Sequence, residues 1–270
     1  MDKKDVAILR VIDGLWETYE WVPLEEIMKR IRGRTLQIKA KLRELERHKL
    51  ISWKPQVIRD MPGIKITERG MDSLAVWDFS KHGVIDNIGH VVGEGKESVI
   101  VLGLKDDMKL AMKFHRYYSA EFRRIGQSLS YSAIKWWRQK KDRPLRPVNF
   151  PRAKAQVEYH ALKKLEGKVS VPKILGINRH VLVMEFIGDD VPAPLMSNVE
   201  REQWMKEEVL ENYEISLKNG VVHGDLSPFN VMMWDGIHII DWPQAVPTDF
   251  EGAEEMIKRD KKNVEKFFTS

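Results

Sequence analysis

The chain has 270 residues, a formal net charge of +5 and 43% apolar side chains, which suits one large domain or two modest ones with real cores. It has no cysteine, which excludes a disulfide framework, cysteine-ligated zinc and a thiol nucleophile, and fits a reducing compartment. Met1-Asp2-Lys3-Lys4-Asp5 lacks the apolar run of a signal peptide, and no stretch approaches the ~18 apolar residues of a membrane span. A cytoplasmic protein with no membrane partner is therefore expected.

The first eighty residues read as one small domain. Ala7, Ile8, Val11, Ile12 and Leu15 recur at helical spacing. Pro23 suits the first turn of a second helix with Leu24, Ile27, Met28 and Ile31. Thr35 is placed to cap a third, through Leu36, Ile38, Leu42, Leu45 and Leu50. Two short β-like runs follow, Leu50-Ile51-Ser52-Trp53 and Ile64-Lys65-Ile66, around a loop with Pro55, Pro62 and Gly63. A last helix carries Met71, Leu74, Ala75 and Trp77. This order resembles a winged helix-turn-helix over 1–80. The third helix bears Lys39, Lys41, Arg43, Arg47 and Lys49, as a recognition helix contacting DNA or RNA would. Glu44 and Glu46 leave a plain solvated face, or a protein-docking one, equally open.

Residues 81–270 carry a catalytic pattern, with an N-lobe over 81–184 and a C-lobe over 188–270. His223-Gly224-Asp225-Leu226-Ser227-Pro228-Phe229-Asn230 matches the kinase catalytic loop H-x-D-L-x-x-x-N, with Gly where Arg is usual. Asp225 is the expected catalytic base for an attacking hydroxyl, and Asn230 reaches a phosphate-bound magnesium from the same loop. Ile237-His238-Ile239-Ile240 then ends in Asp241, a carboxylate at a strand end where a second metal ligand belongs. Upstream, Ala111-Met112-Lys113-Phe114 closes a strand with a lysine for the α- and β-phosphates, and Glu158 on a later helix can fix that lysine. The glycine-rich run from Ile88 to Ser98 can fold over phosphates with its backbone N–H groups, with Lys96, Glu97 and Ser98 at its tip. It fits neither the Walker pattern nor G-x-G-x-x-G. Val181 to Gly188 reads as a buried strand leading to a hinge. There Glu185 and Ile187 meet the adenine, with Met184 behind it.

Gly95-Lys96-Glu97-Ser98, Lys113 followed by His115-Arg116, the Glu158 helix, His223-Gly224-Asp225-Leu226 and Ile240-Asp241-Trp242-Pro243-Gln244 occur in one order. Together they resemble the RIO family of atypical kinases, and the winged helix in front resembles its second, archaeal-type subfamily. The resemblance implies an α+β fold in which a minimal bilobal kinase domain follows the winged helix. It also implies serine autophosphorylation or ATP hydrolysis with Mg²⁺ or Mn²⁺, and a part in maturation of the small ribosomal subunit, with the precursor particle and its RNA as partners. Asp241 is implied to accept the phosphoryl group transiently as well as to bind metal. Trp242 in place of Phe, and Ser227-Pro228 within the catalytic loop, depart from the usual pattern without removing a required group. Only 29 residues follow Asp241, so a site assembled without an activation segment is expected.

Two other readings share parts of this pattern. Small-molecule phosphotransferases of the aminoglycoside or choline kinase type also show His-Gly-Asp and Ile-Asp-Trp. A nucleic-acid-binding assembly factor using the kinase fold as an ATP-gated scaffold is the other. Arg116 to Arg146 holds nine Lys or Arg against Glu121 and Asp142, more than the whole-chain excess, interleaved with Tyr117, Tyr118, Tyr131, Trp136 and Trp137. RNA contact is expected there, with Ser128, Ser130 and Ser132 as autophosphorylation candidates.

Overall fold

The computed structural model describes residues 1–58, 61–116 and 150–269. The chain divides into two compact units, Met1–His82 and Gly83–Ser270.

In the first unit, α1 (Lys3–Gly14) starts on a capping box, in which Asp2 and Asp5 exchange backbone N–H bonds. The unit continues through β1 (Val22–Pro23), α2 (Leu24–Arg30), α3 (Thr35–Arg47), β2 (Ile51–Ile58), β3 (Met61–Ile66) and α4 (Glu68–Lys81). Strand β3 lies between β1 and β2, the arrangement of a winged helix. Ile8, Leu9, Ile12, Ile27, Leu42, Leu45, Ile64 and Leu74 are buried at its centre. Three local expectations need correction. The buried face of α1 is Val6, Ile8, Leu9 and Ile12, flanked by Asp5 and Asp13, while Ala7 is exposed; Asp5 bridges to Lys41. Thr35 is the first helical residue of α3, and the cap position is Arg34, without a side-chain bond. The strands also run further than their apolar runs, because a bulge between Lys54 and Ile58 absorbs the irregular stretch around Pro55.

The second unit opens with three antiparallel strands, β4 (Asn87–Glu94), β5 (Ser98–Lys105) and β6 (Met108–His115). Helix α5 (Phe150–Leu165) follows, then β7 (Ile174–Asn178) and β8 (Val181–Glu185). They form one sheet in the order β4-β5-β6-β8-β7, so β6 sits at its centre with α5 packed on it. The C-lobe holds α6 (Gln203–Lys218), the hairpin of β9 (Val231–Met233) and β10 (Ile237–Ile239), and α7 (Ala253–Thr269). Helix α6 begins at Gln203, after a 3-10 turn at Met196–Asn198. Met205, Val209, Tyr213, Val222, Leu226, Trp242, Met256 and Val264 pack in a single buried cluster under the catalytic loop. Mixed α and β structure in two lobes is thus the architecture. Among the described residues, no helix is long and apolar enough to cross a membrane.

Candidate active site

The parts of the site come from elements that a β-period and a helix-period place independently. Strand β6 pairs with β5 so that Lys113 faces Ile100 and His115 faces Ser98. Alternation along β6 then turns Lys113 inward, where it is 5% exposed. Its Nζ donates to Glu158 Oε1 at 2.7 Å and to Asp241 Oδ1 at 2.6 Å. One cation therefore joins the sheet, α5 and the end of β10. Burial alone would discharge this ammonium, but the carboxylates of Asp241 and Glu158 override it and hold its pKa above the usual lysine value.

Glu158 is almost fully buried and serves three neighbours. Besides Lys113, its Oε1 accepts from the backbone N–H of Trp242 at 3.2 Å, and its Oε2 lies 2.8 Å from His115 Nε2. Burial opposes the charged carboxylate, yet Lys113 and then His115 outweigh it and keep Glu158 ionised. Burial lowers the His115 pKa, against the pull of the Glu158 carboxylate on the protonated ring.

The catalytic loop is held from beneath. His223 is buried and takes the Asp225 N–H on Nδ1 at 3.2 Å, while its Nε2 meets the Ile240 carbonyl at 2.9 Å. The second contact requires a proton on Nε2, so one neutral tautomer ties Asp225 to the backbone beside Asp241. Asn230 donates its amide to the Asp225 carbonyl at 2.8 Å. Gly224 has φ +80°, and a Cβ there would lie 2.6 Å from the Gln244 carbonyl oxygen. The glycine in place of the usual arginine is therefore a steric requirement. Asp260 of α7, with no exposed surface, accepts the N–H groups of Gly224 at 2.8 Å and Leu226 at 3.2 Å and the Tyr213 hydroxyl at 2.8 Å. Asp225 itself is exposed. Partial burial still raises its pKa, with Asp241 and Asp260 adding to it and His223 and Arg259 opposing. Asp241 takes a left-handed conformation, φ +67°, one that Asp tolerates better than most residues. Trp242 is fully buried, donates its indole N–H to the Ile239 carbonyl at 3.0 Å, and has its ring 4.4 Å from that of His223.

These elements enclose a cavity of about 400 Å³. Ser98, Lys113, Glu158, Met184, Glu185, Ile187, Asn230 and Asp241 all line it. Asp225 stands outside the lining, as do Lys96 and Glu97, whose loop contributes Gly93, Glu94 and Gly95 instead. Glu97 turns away and accepts from Lys154 on α5 at 2.6 Å. Ser128, Ser130 and Ser132 lie outside the described residues.

Residues 96–270 match the family described as RIO domain, and residues 1–82 the one described as Rio2, N-terminal. The chain belongs to the RIO kinase family. It is 31% identical over 265 residues to the RIO-type serine/threonine-protein kinase Rio2 of Methanocaldococcus jannaschii, covering 93% of this chain and 90% of that protein. Against the serine/threonine-protein kinase RIO2 of Caenorhabditis elegans the identity is 29%, over 84% of this chain but 42% of the longer protein. A crystal structure described as the Rio2 kinase-ADP/Mg2+-phosphoaspartate complex from Chaetomium thermophilum superposes with a TM-score of 0.81 at 24% identity, covering 99% of this chain and 80% of that one.

In this RIO kinase, sequence reasoning missed Asp260, Lys154 and the contact of His115 with Glu158. The first two had a visible signal. Asp260 falls in the buried stripe Ala253, Met256, Val264 of α7, and Lys154 in the stripe Phe150, Ala153, Val157, Ala161 of α5. A charge on the buried face of a helix marks a specific partner.

Proposed function

We propose that ATP occupies the cavity and that this chain transfers its γ-phosphoryl group to serine or to water, in the service of small ribosomal subunit maturation. The observation that carries the reading is the single ammonium of Lys113 bonded to both Glu158 and Asp241 at the wall of a cavity floored by the catalytic loop. Backbone groups of Glu185 and Ile187 receive the adenine, with Met184 behind it. Lys113, oriented by Glu158, neutralises the α- and β-phosphates, and Ser98 with the Gly93–Gly95 backbone covers the rest of the chain of phosphates. The Asp241 carboxylate and the Asn230 amide oxygen form a pair of hard oxygen donors, the set that Mg²⁺ accepts when phosphate oxygens and water complete its shell. Bound there, the ion would draw charge from the β- and γ-oxygens. Asp225, exposed and outside the lining, is proposed to orient the attacking hydroxyl and accept its proton. Asp241, the second carboxylate bonded to Lys113, is the one proposed to take the phosphoryl group transiently. The Chaetomium Rio2 kinase, described as a phosphoaspartate complex, lends support to this step.

The autophosphorylation targets proposed are Ser128, Ser130 and Ser132, within a segment whose positive charge and aromatics suit ribosomal RNA. The winged helix offers a second nucleic-acid contact through α3. The deciding experiment measures ATP hydrolysis with and without small-subunit particles and traps labelled protein during turnover. The expected result is stimulation by the particles and an acid-stable, hydroxylamine-labile label that Asp241→Asn abolishes. Hydrolysis indifferent to the particles would remove the ribosomal assignment, and a label only on serine would leave Asp241 as a metal ligand.

A further inference from the structure

Helix α5 sends two charged side chains into the lobe one turn apart. Glu158 is the first. The second is Lys154, whose side chain is 1% exposed and whose Nζ donates to Glu97 Oε2 at 2.6 Å. The same ammonium lies 5.1 Å from the centre of the Phe150 ring, close enough for a cation–π contribution. A buried lysine is costly unless a specific partner compensates it. Here the partner belongs to the loop that covers the cavity.

That loop has an electrostatic problem. Glu97 sits between Lys96 and Ser98 at its tip, and a carboxylate aimed at the phosphates would repel them. The fold turns it the other way. Gly95 and Ser98 line the cavity while Glu97 does not, and two backbone bonds, Gly95 N–H to Ser98 O at 2.9 Å and Arg116 N–H to Glu97 O at 2.8 Å, fix the turn. Lys154 both neutralises the carboxylate and anchors it to α5.

We propose that Lys154 is a positioning residue for the phosphate-covering loop. By holding Glu97 it sets Gly95 and Ser98 over the nucleotide phosphates. Because Lys154 and Glu158 share one helix, α5 fixes the loop and Lys113 as one piece. Displacing α5 therefore releases both phosphate contacts together. The inference rests on the nucleotide placement proposed above.

The test is calorimetric titration of the full chain with ATP·Mg²⁺ and, separately, with adenosine, which has the base and ribose but no phosphate. Wild type should bind ATP more tightly than adenosine. Lys154→Met and Glu97→Gln should each weaken ATP about tenfold, the loss of one charge-assisted contact, and leave adenosine within about twofold. The double variant should lose no more than either single one, as expected of two residues acting through one bond. KM for ATP should rise more than kcat falls. Glu97→Gln alters the more exposed end of the pair and keeps the test open if Lys154→Met does not fold. ATP affinity unchanged in both variants, or ATP and adenosine weakening together, would overturn the inference while leaving the nucleotide placement intact. A wild type that binds adenosine as tightly as ATP would overturn the placement itself.

Discussion

Asp260 offers the sharpest perturbation of the catalytic loop from outside the cavity. Its two carboxylate oxygens receive the N–H groups of Gly224 and Leu226, the residues on either side of Asp225, together with the Tyr213 hydroxyl. Replacing it with Ala leaves three buried donors without an acceptor. At about 1–3 kcal/mol for each unsatisfied group, partly relieved by relaxation, the loss is roughly 3–6 kcal/mol. For a unit of this size, each kcal/mol moves the midpoint by about 2–4 °C, so the kinase unit should melt roughly 10–20 °C lower. Asp260→Asn is gentler. Its amide oxygen can replace Oδ2 for Gly224 and Tyr213, but the amide nitrogen then faces the Leu226 N–H, costing about 1–3 kcal/mol. Freed on both sides, Asp225 should lose its position by enough to slow turnover about 100-fold. Thermal melting and ATP turnover on the two variants measure both effects. A midpoint within about 2 °C of wild type for Asp260→Ala, with turnover within a few-fold, would show that the loop holds itself and that Asp260 is not its anchor.

Gly224→Ala places a Cβ against the Gln244 carbonyl oxygen in a left-handed conformation; it should cost roughly 2–4 kcal/mol, read by thermal melting, and a neutral effect would mean that the loop can shift freely. Lys113→Ala should reduce turnover far more than Glu158→Gln, because without the glutamate charge Lys113 keeps its bond to Asp241; equal, near-normal rates for both would mean that the wrong lysine has been assigned. The raised pKa of Asp225 places the acid limb of the kcat/KM profile above the ~3.9 of a free aspartate. The fold disfavours the ionised carboxylate, so stability is lost as pH rises from the unfolded value through the folded one and stays lower above it. Asp225→Asn should therefore melt no lower than wild type at pH 7 while losing turnover, and a clear drop in its midpoint would contradict this.

Much of the fold was legible because each element carries its own period. The apolar run Val181 to Met184 is a fully buried strand, and Lys113 closes a strand whose alternation turns it inward. The catalytic loop was legible because its donors are fixed by chemistry at a fixed spacing. What escaped was longer in range. Nothing local pairs Lys154 with Glu97, 57 positions apart, or Asp260 with Gly224, 36 apart. The periodicity of α1 pointed to Ala7 and missed Val6 and Leu9, because Asp5 and Asp13 flank the buried stripe and blur its edge. The sequence shows Gly224 only as a departure from the usual arginine; the backbone shows its reason, a conformation and a closeness to Gln244 that exclude any side chain.

Asp225 is proposed to act in phosphoryl transfer from a nucleotide held by the rest of the site. The most direct measurement compares Asp225→Asn with wild type in ATP binding and in γ-phosphoryl transfer on the same preparation. ATP affinity should stay within a few-fold of wild type and transfer should fall at least about 100-fold, the scale expected when a positioned participant in the transition state is lost. Transfer within a few-fold of wild type would contradict it.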